Sequence, residues 1–591
     1  MSVLASLARA YDRLPGAPPF GFSQEKIGFL ISLNADGSVA SFTDLREGEG
    51  AKRRPRMIPV PQPVKRTAGI APNFLWDKTS YVLGVTAGEG KRTGEEHAAF
   101  VERHEKAMAG LDDEGLRALL AFLAAWSADQ FVERGWPEEA KDQNVIFCLE
   151  SDRLRNVMLH DRPAARALWV KVSAEGDKES EICLVTGEAG PVARLHPSIK
   201  GVWGAQSSGA SLVSFNLDAF ESYGHVQGGN APVSVASAFA YATALNRFLE
   251  PGSSHRMQVG DASTVFWADA SNAALAQEAE DIFAASFDPA DDDSAATKAI
   301  GVKLAQIRAG KPIEEVEPAL AEGVRFNVLG LAPNAARLSV RFHFEDDFGA
   351  LTRNYQRFVR DMQVEPGPRG DYPPLWRYLT EIALLGKREN VPPNLAGQWM
   401  RSILTGTNYP LTLLSSVLTR IRADGEVNAL RVGMLKAVLV RNHAMEVGKR
   451  GDKRKEAPVG LDPENRNKGY LLGRLFAAYE QVQSAALGRN VNATIKDKFY
   501  GSASAQPRKV FAMLESGSAN HLSKLGKRSP GYRVLLEKTI ASIMETMAPG
   551  DDPFPASLSA EDQALFGLGY YHQRSEFFRK ADDANSEGSR Q

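Results

Sequence analysis

Two cations, a glycine, an amide and two aromatic rings fall close together near the N-terminus, where residues 60–77 read VPQPVKRTAGIAPNFLWD. Lys65 and Arg66 are suited to phosphate, with Thr67 beside them. Asn73 has the donor and acceptor that a base edge requires, and Gly69 lets the backbone approach closely. A nucleic-acid loop accounts for this composition. A structural Pro-rich loop pinned by Phe74 and Trp76 accounts for it equally well. Two further polar turns, Gln206-Ser207-Ser208-Gly209 and Gln227-Gly228-Gly229-Asn230, have the composition to enter a minor groove and compete for the same role.

Other short strings imitate catalytic sites without meeting their geometry. Gly84 to Gly90-Lys91-Arg92-Thr93 resembles a phosphate-binding loop. Its glycines stand one residue too far apart, and Thr93 follows Lys91 by two positions, so its hydroxyl would miss a magnesium ion. His343-Phe344-Glu345-Asp346-Asp347 offers metal-type side chains, but on a strand His343 and Glu345 share a face while Asp346 points away. His160-Asp161 and the isolated His104, His196 and His255 lack partners at ligand spacing. Cys148 sits in an apolar strand, the setting of an inert core thiol, and no G-x-S-x-G occurs. These residues predict neither an enzyme nor a cofactor or metal site.

The elements that must position these residues are bounded by composition. The 591 residues carry 70 Lys+Arg against 72 Asp+Glu, a net charge of −2, with 43% hydrophobic residues. That describes an ordinary globular chain with several domains. The near-neutral total hides segregation. Residues 441–540 hold 19 Lys+Arg and 9 Asp+Glu, and a second basic run covers 52–66. A phosphate-contacting face and two solvated surfaces both produce such a pattern. Two cysteines, no secretory leader pattern and no apolar run of spanning length predict a soluble, cytoplasmic protein with no membrane association.

Residues 27–33 read as a strand, 34–37 as a turn and 38–45 as the returning strand of a hairpin. Residues 95–133 are helical in period, and strands are expected at 144–149, 167–172, 181–185 and 338–345, with a helix at 233–249. Beyond residue 348 helical patterns dominate and strand signals nearly vanish. Stretches 288–296 and 448–465, rich in charge or in Pro and Gly, read as linkers. The fold class is therefore an α+β N-terminal region, 1–350, followed by an all-α C-terminal region: a helical part, 351–447, and a helical bundle, 466–591. Two stripes that would close this bundle are Arg474, Leu475, Ala478 and Tyr479, and then Leu535, Ile540, Ile543 and Met544.

The segments PQPVKRTAGIAPNFLWDKTSYVLG (61–84), SLVSFNLDAFESYG (211–224), GGNAPVS (228–234), LSVRFHFEDDFGALTRN (338–354), YLLGRLFAAYEQVQ (470–483) and KFYGSASAQPRKVF (498–511) resemble, in order, the large subunits of type I-C CRISPR surveillance complexes (Cascade). The resemblance implies an antiviral-defence protein that joins guide RNA (crRNA) and the complex's backbone subunits. It would bind target DNA, read the protospacer-adjacent motif (PAM), support R-loop formation and dock a separate helicase-nuclease. Guide pairing would supply sequence specificity, as in the different CRISPR effector that illustrates this division of labour. It further implies a small subunit made by internal translation, for which Met445 is the first candidate start, Met434 the second and a non-Met codon near residue 466 the third. The basic C-terminal residues Lys496, Lys498, Arg508 and Lys509 would then line the path of the displaced strand. The rival class is a Mg-dependent nuclease or nucleotide-dependent DNA remodeller, which requires a carboxylate set that the sequence does not display.

Overall fold

The computed structural model describes residues 2–48, 53–64, 66, 69–174, 180–270, 272–288, 295–370, 372–450, 457–488, 493–547 and 552–588. These form two compact units, 1–198 with 211–246 and 199–210 with 247–591. Strands, and helices of at least eight residues, are numbered in chain order.

The first unit opens with helix α1 (Val3–Tyr11) and strand β1 (Phe22–Ile27). Strands β2 (Phe29–Leu33), β3 (Val39–Asp44), β4 (Arg56–Pro61) and β5 (Trp76–Lys78) follow. Helices α2 (Thr93–Met108) and α3 (Glu114–Ala125) precede β6 (Asn144–Leu149). The central sheet has the order β3-β2-β6-β5, with β2 and β6 parallel from Phe29↔Val145 to Leu33↔Leu149. A parallel pair is stable when both faces are covered. Phe29, Ile31, Leu33, Val145 and Phe147 face a core that includes Phe100, Leu119 and Phe122 of the helices. Leu30, Ile146 and Cys148 face the other way, onto Ile27 and Val60 of the two-stranded antiparallel β1–β4 sheet. The expected strand at 27–33 is thus two strands broken at Gly28, whose N–H donates to the Asn144 carbonyl (3.0 Å).

The expected strand at 167–172 is instead helix α4 (Pro163–Ala174). Ala165, Leu168 and Trp169 are all buried, a spacing of three and four that belongs to a helix. Pro163 suits the first helical turn, and Trp169 anchors the helix by donating from Nε1 to the Gly21 carbonyl (2.7 Å). A short hairpin, β7 (Ser180–Ile182) with β8 (Ala189–Pro191), and helix α5 (Val235–Phe248) follow.

In the second unit a four-stranded antiparallel sheet runs in the order β12-β11-β10-β9. Its strands are β9 (Arg256–Val259), β10 (Ala262–Asp269), β11 (Arg325–Asn334) and β12 (Arg337–Asp347). Only β12 alternates clearly enough to be read from sequence. β10 and β11 are buried along almost their whole length, so their apolar runs carry no period of two. Helices α6 (Ala273–Phe287) and α7 (Ala295–Arg308) lie between β10 and β11. After β12, Asp347 caps α8 (Phe348–Met362) by accepting from the Gly349 N–H (2.8 Å).

Helices then continue as α9 (Leu375–Ile382), α10 (Pro393–Thr405), α11 (Leu411–Asp424), α12 (Ala429–Arg450) and α13 (Lys468–Leu487). The last four are α14 (Ile495–Ala505), α15 (Pro507–Arg528), α16 (Pro530–Glu545) and α17 (Ala560–Gly588). Element type changes near residue 350 as expected, yet the hydrophobic core does not. One cluster runs from Met257 of the sheet to Phe577 of α17. The second half of the expected 448–465 linker is also held in place. Val459 accepts from the Glu365 N–H (2.8 Å), and the Asp462 N–H donates to the Tyr470 hydroxyl (3.0 Å).

Helix α13 is the axis of the C-terminal bundle, with Tyr470, Leu472, Leu475, Phe476, Tyr479 and Val482 buried around it. It meets α17 backbone to backbone. A Cβ on Gly473 would stand 2.0 Å from the Phe566 carbonyl oxygen, and one on Gly569 would stand 2.1 Å from that of Tyr470. The α16 stripe is corrected by one residue: Leu536 and Ile543 are buried, while Leu535 is exposed.

Candidate nucleic-acid interface

The loop entering β5 is a tightly bonded structure. Asn73 is only 4% exposed, and its Oδ1 accepts from the Val64 N–H (3.0 Å). Its own N–H donates to Asp77 Oδ2 (2.8 Å). The Arg66 guanidinium pairs with the same Asp77 oxygen, donates from Nε to the Ala71 carbonyl (2.7 Å) and lies over the Tyr81 ring at 4.1 Å. Asp77 is buried. Burial pushes its carboxyl upward, and the Asn73 N–H and the Arg66 guanidinium oppose that shift. Behind the loop, His104 accepts from the Leu75 N–H at Nε2 (2.9 Å) and donates from Nδ1 to the Phe100 carbonyl (2.7 Å). Burial lowers this imidazole to about 4, so it is neutral at pH 7. Phe74 stacks on it at 5.6 Å. In this arrangement Asn73 is a loop clamp with no base-reading edge exposed. Lys65 and Thr67 lie outside the described residues.

Arg66 and Gly69 nevertheless border an open polar cleft of about 470 Å³. Its opposite wall is the Gly84–Thr93 loop, which the sequence presented only as a failed phosphate-loop match. Gly90 has φ +69°, the left-handed region, and brings the chain into α2. Arg92 stands at the N-cap of α2 with no side-chain cap bond, and Thr93 is buried at the first helical position. Lys78, Lys91 and Arg92 are exposed on the cleft, Lys91 at 83% with Glu89 at 2.7 Å. Glu96 and Asp142 also line it, and Asp142 is occupied by the Thr86 hydroxyl (2.7 Å) and the Ala87 N–H (3.2 Å). Four cations thus converge with a helix N-terminus, a combination that favours phosphate over a neutral ligand. Lys78, Lys91 and Arg92 were not selected from sequence. The Lys91-Arg92 adjacency was the available signal.

The two polar turns differ. Gln206 and Ser207 are exposed in a turn closed by the Gly209 N–H on the Gln206 carbonyl (2.9 Å). Trp203, 57% exposed, precedes them and supplies a flat apolar ring suited to stacking or wedging. In the other turn Asn230 is fully engaged. Its Oδ1 accepts from the Ser222 N–H (2.9 Å), and Nδ2 donates to the His225 and Gln227 carbonyls. Gln227 accepts from Arg194. A Cβ at Gly228 would stand 2.1 Å from the Ala193 carbonyl oxygen, so this glycine serves close backbone packing. Just before it, the turn closed by the His225 N–H on the Ser222 carbonyl (3.0 Å) presents Tyr223 outward, 99% exposed.

On the bundle, Lys498 and Lys509 are exposed and Lys496 is half-buried beside the Thr494–Asp497 capping box. Arg508 is committed to Asp552 and to the Phe554 carbonyl (3.3 Å). Lys524, Lys527 and Arg528 are exposed at the far end of α15 and extend the basic character about 27 Å from Lys509 at 1.5 Å per residue. Glu345, part of the apparent metal string, instead accepts from Arg325 (3.1 Å) across the sheet. Among the described residues no group of three or more His, Cys, Asp or Glu side chains could hold a metal ion together. No helix among them is long and apolar enough to cross a membrane.

The first unit thus carries an open cleft lined by four cations, and the C-terminal helices carry exposed lysines. The family model of CRISPR-associated proteins (Cas_Csd1) matches residues 7–578, and the chain belongs to that family. Comparison with curated proteins returned no match.

Proposed function

We propose that the chain is the large subunit of a type I-C guide-RNA interference complex. It binds target double-stranded DNA, reads the flanking motif, supports R-loop formation and docks the helicase-nuclease, without itself cutting DNA. The observation that carries this proposal is the family match over nearly the whole chain, and the cleft bounded by Arg66, Lys78, Lys91 and Arg92 supplies a place for duplex phosphates. Exposed Gln206, Ser207 and Trp203 are the groups best placed for base or stacking contacts, because Asn73 and Asn230 spend their amides on backbone. The bundle from α13 to α17 corresponds to the small subunit, which a second start at Met445 or Met434 within α12 would also release as a separate chain.

The test is titration of the assembled complex with duplexes carrying matched and mismatched flanks. Lys78→Glu/Arg92→Glu should weaken both duplexes alike, since phosphates carry no sequence. Substitutions at Gln206 and Trp203 should narrow the difference between the duplexes. Incubation of the purified chain with plasmid and Mg²⁺ or Mn²⁺ should leave the DNA intact. Cutting by the chain alone would replace the proposal with a nuclease.

A further inference from the structure

A second cationic cavity lies wholly within the second unit, between α8 and α12. Its volume is about 690 Å³, within the range of ligand pockets. Arg353, Arg357 and Arg360 reach it from one face of α8 at spacings of four and three, which is helix period. Lys436 enters from α12, and the segment Ala457–Pro458–Val459 forms a wall. The carboxylates on the cavity are Asp361 and Asp462. Asp361 is buried and already taken: it accepts from Arg441 Nε at 2.6 Å and from the Tyr409 hydroxyl at 3.3 Å. Asp462 accepts from the Glu464 N–H at 3.1 Å.

Among the described residues, positive charge here exceeds what carboxylates neutralise, with Arg353 paired to Glu314 at 3.4 Å. The Arg360 guanidinium is exposed and has no hydrogen bond or ion pair with a described residue. Arg357 reaches only the Gly406 carbonyl, at 3.4 Å. Lys436 is 3% exposed and donates to the Asp361 and Arg360 carbonyls at 3.0 and 3.3 Å, with no carboxylate oxygen among its hydrogen-bond partners in the described residues. Beside the cavity Arg441 is fully buried, and its Nη2 has no partner among the described residues. Burial lowers Lys436 to about 8, and burial together with Arg441 lowers Arg357. Cations crowded around two carboxylates that already accept hydrogen bonds are costly until an anion joins them.

We propose that this cavity is a phosphate-binding site. No Phe, Tyr or Trp lines it, so it offers charge and hydrogen bonds to phosphates and no platform for stacked bases. The phosphates come either from the backbone of a nucleic-acid strand or from a small free polyphosphate. This assignment uses none of the flank-reading residues: Arg66, Lys78, Lys91 and Arg92 belong to the first unit, and Trp203, Gln206 and Ser207, in the same unit as the cavity, do not line it.

Full-length protein carrying Arg357→Gln/Arg360→Gln decides the matter, with Arg360→Lys as a charge-preserving variant and Arg134→Gln as a charge-removing control elsewhere. Two ligands are titrated: fluorescein-labelled oligothymidylate, and inorganic pyrophosphate followed by the rise in melting temperature. For a strand backbone, the double variant binds the oligonucleotide at least about fivefold more weakly, and its salt slope falls by about 1.4, two contacts at roughly 0.7 each. Arg360→Lys and Arg134→Gln should then match the parent. For a small polyphosphate, pyrophosphate raises the parent's melting temperature and fails to raise that of the double variant. A double variant that binds both ligands as the parent does, or a parent that binds neither, overturns the proposal. Flank discrimination by the assembled complex should survive in the double variant, so failure here is separable from failure of the function proposed above.

Discussion

Arg66 and Asp77, eleven positions apart in sequence, form an ion pair at the base of the N-terminal loop, with the carboxylate buried and the guanidinium partly open to the cleft. Removing the cation leaves a buried carboxylate without its partner. Arg66→Ala should therefore lose about 3 kcal/mol of stability, in addition to any loss of phosphate contact. Lys78→Ala and Arg92→Ala, both exposed, should leave the melting temperature unchanged while weakening DNA. Comparing thermal unfolding with DNA titration across the three variants separates the two effects.

Asn73→Ala should act on folding rather than on selectivity. The Val64 N–H loses its acceptor, a cost of about 1–2 kcal/mol. Chemical denaturation should show the loss. Matched and mismatched flanks should weaken by the same factor, and a selective loss on the matched flank would restore Asn73 as a base-reading residue.

The glycine contact between α13 and α17 is tested by Gly473→Ala. Its Cβ would meet the Phe566 carbonyl at 2.0 Å, so the helices must separate. The expected destabilisation is about 2–3 kcal/mol. Gly517→Ala on α15 meets nothing within 4 Å and should stabilise by about 0.4–1 kcal/mol. Melting temperatures moving in opposite directions would confirm the contact.

Acid should weaken the fold in a defined window. His104, His160, His196 and His572 are each lowered by burial from 6.5 to about 4. The unfolded chain takes up these protons first as pH falls. The stability they contribute is thus complete above about 6.5 and is lost as pH falls towards 4. His104→Gln retains a donor and an acceptor for its two backbone partners. Unfolding followed from about pH 7 to about pH 4.5 should show a limb shallower by one proton, about 1.4 kcal/mol per pH unit.

The basic helices should contribute unequally to strand capture. Lys498→Glu and Lys509→Glu alter exposed side chains that pair with no described residue and should each lower the salt slope for single-stranded DNA by about 0.7. Arg508→Glu also sets a carboxylate against Asp552 and should cost stability as well. Lys524→Glu/Lys527→Glu should match the first pair if the strand follows the length of α15. A salt-dependence series measures each.

The sequence alone determined the parts whose signal is local. Alternation marked β12, apolar period marked α13, and the charge count marked the basic bundle. The ordered motifs marked the family, because none of these depends on which segment packs against which. Tertiary structure decided the rest. β10 and β11 became recognisable only once both their faces were covered, since full burial erases the alternation that marks a strand. The residues at 167–172 became helical where Trp169 could reach Gly21. Asn73 and Asn230 carry amides that sequence reads as recognition groups, and folding assigned them to backbone donors and acceptors that nothing nearby in the chain could satisfy. The cleft itself joins Arg66 to Lys91 and Arg92 across more than twenty residues. A site made by juxtaposition has no period or spacing in the chain, because its geometry comes from the sheet and helices that hold its walls together.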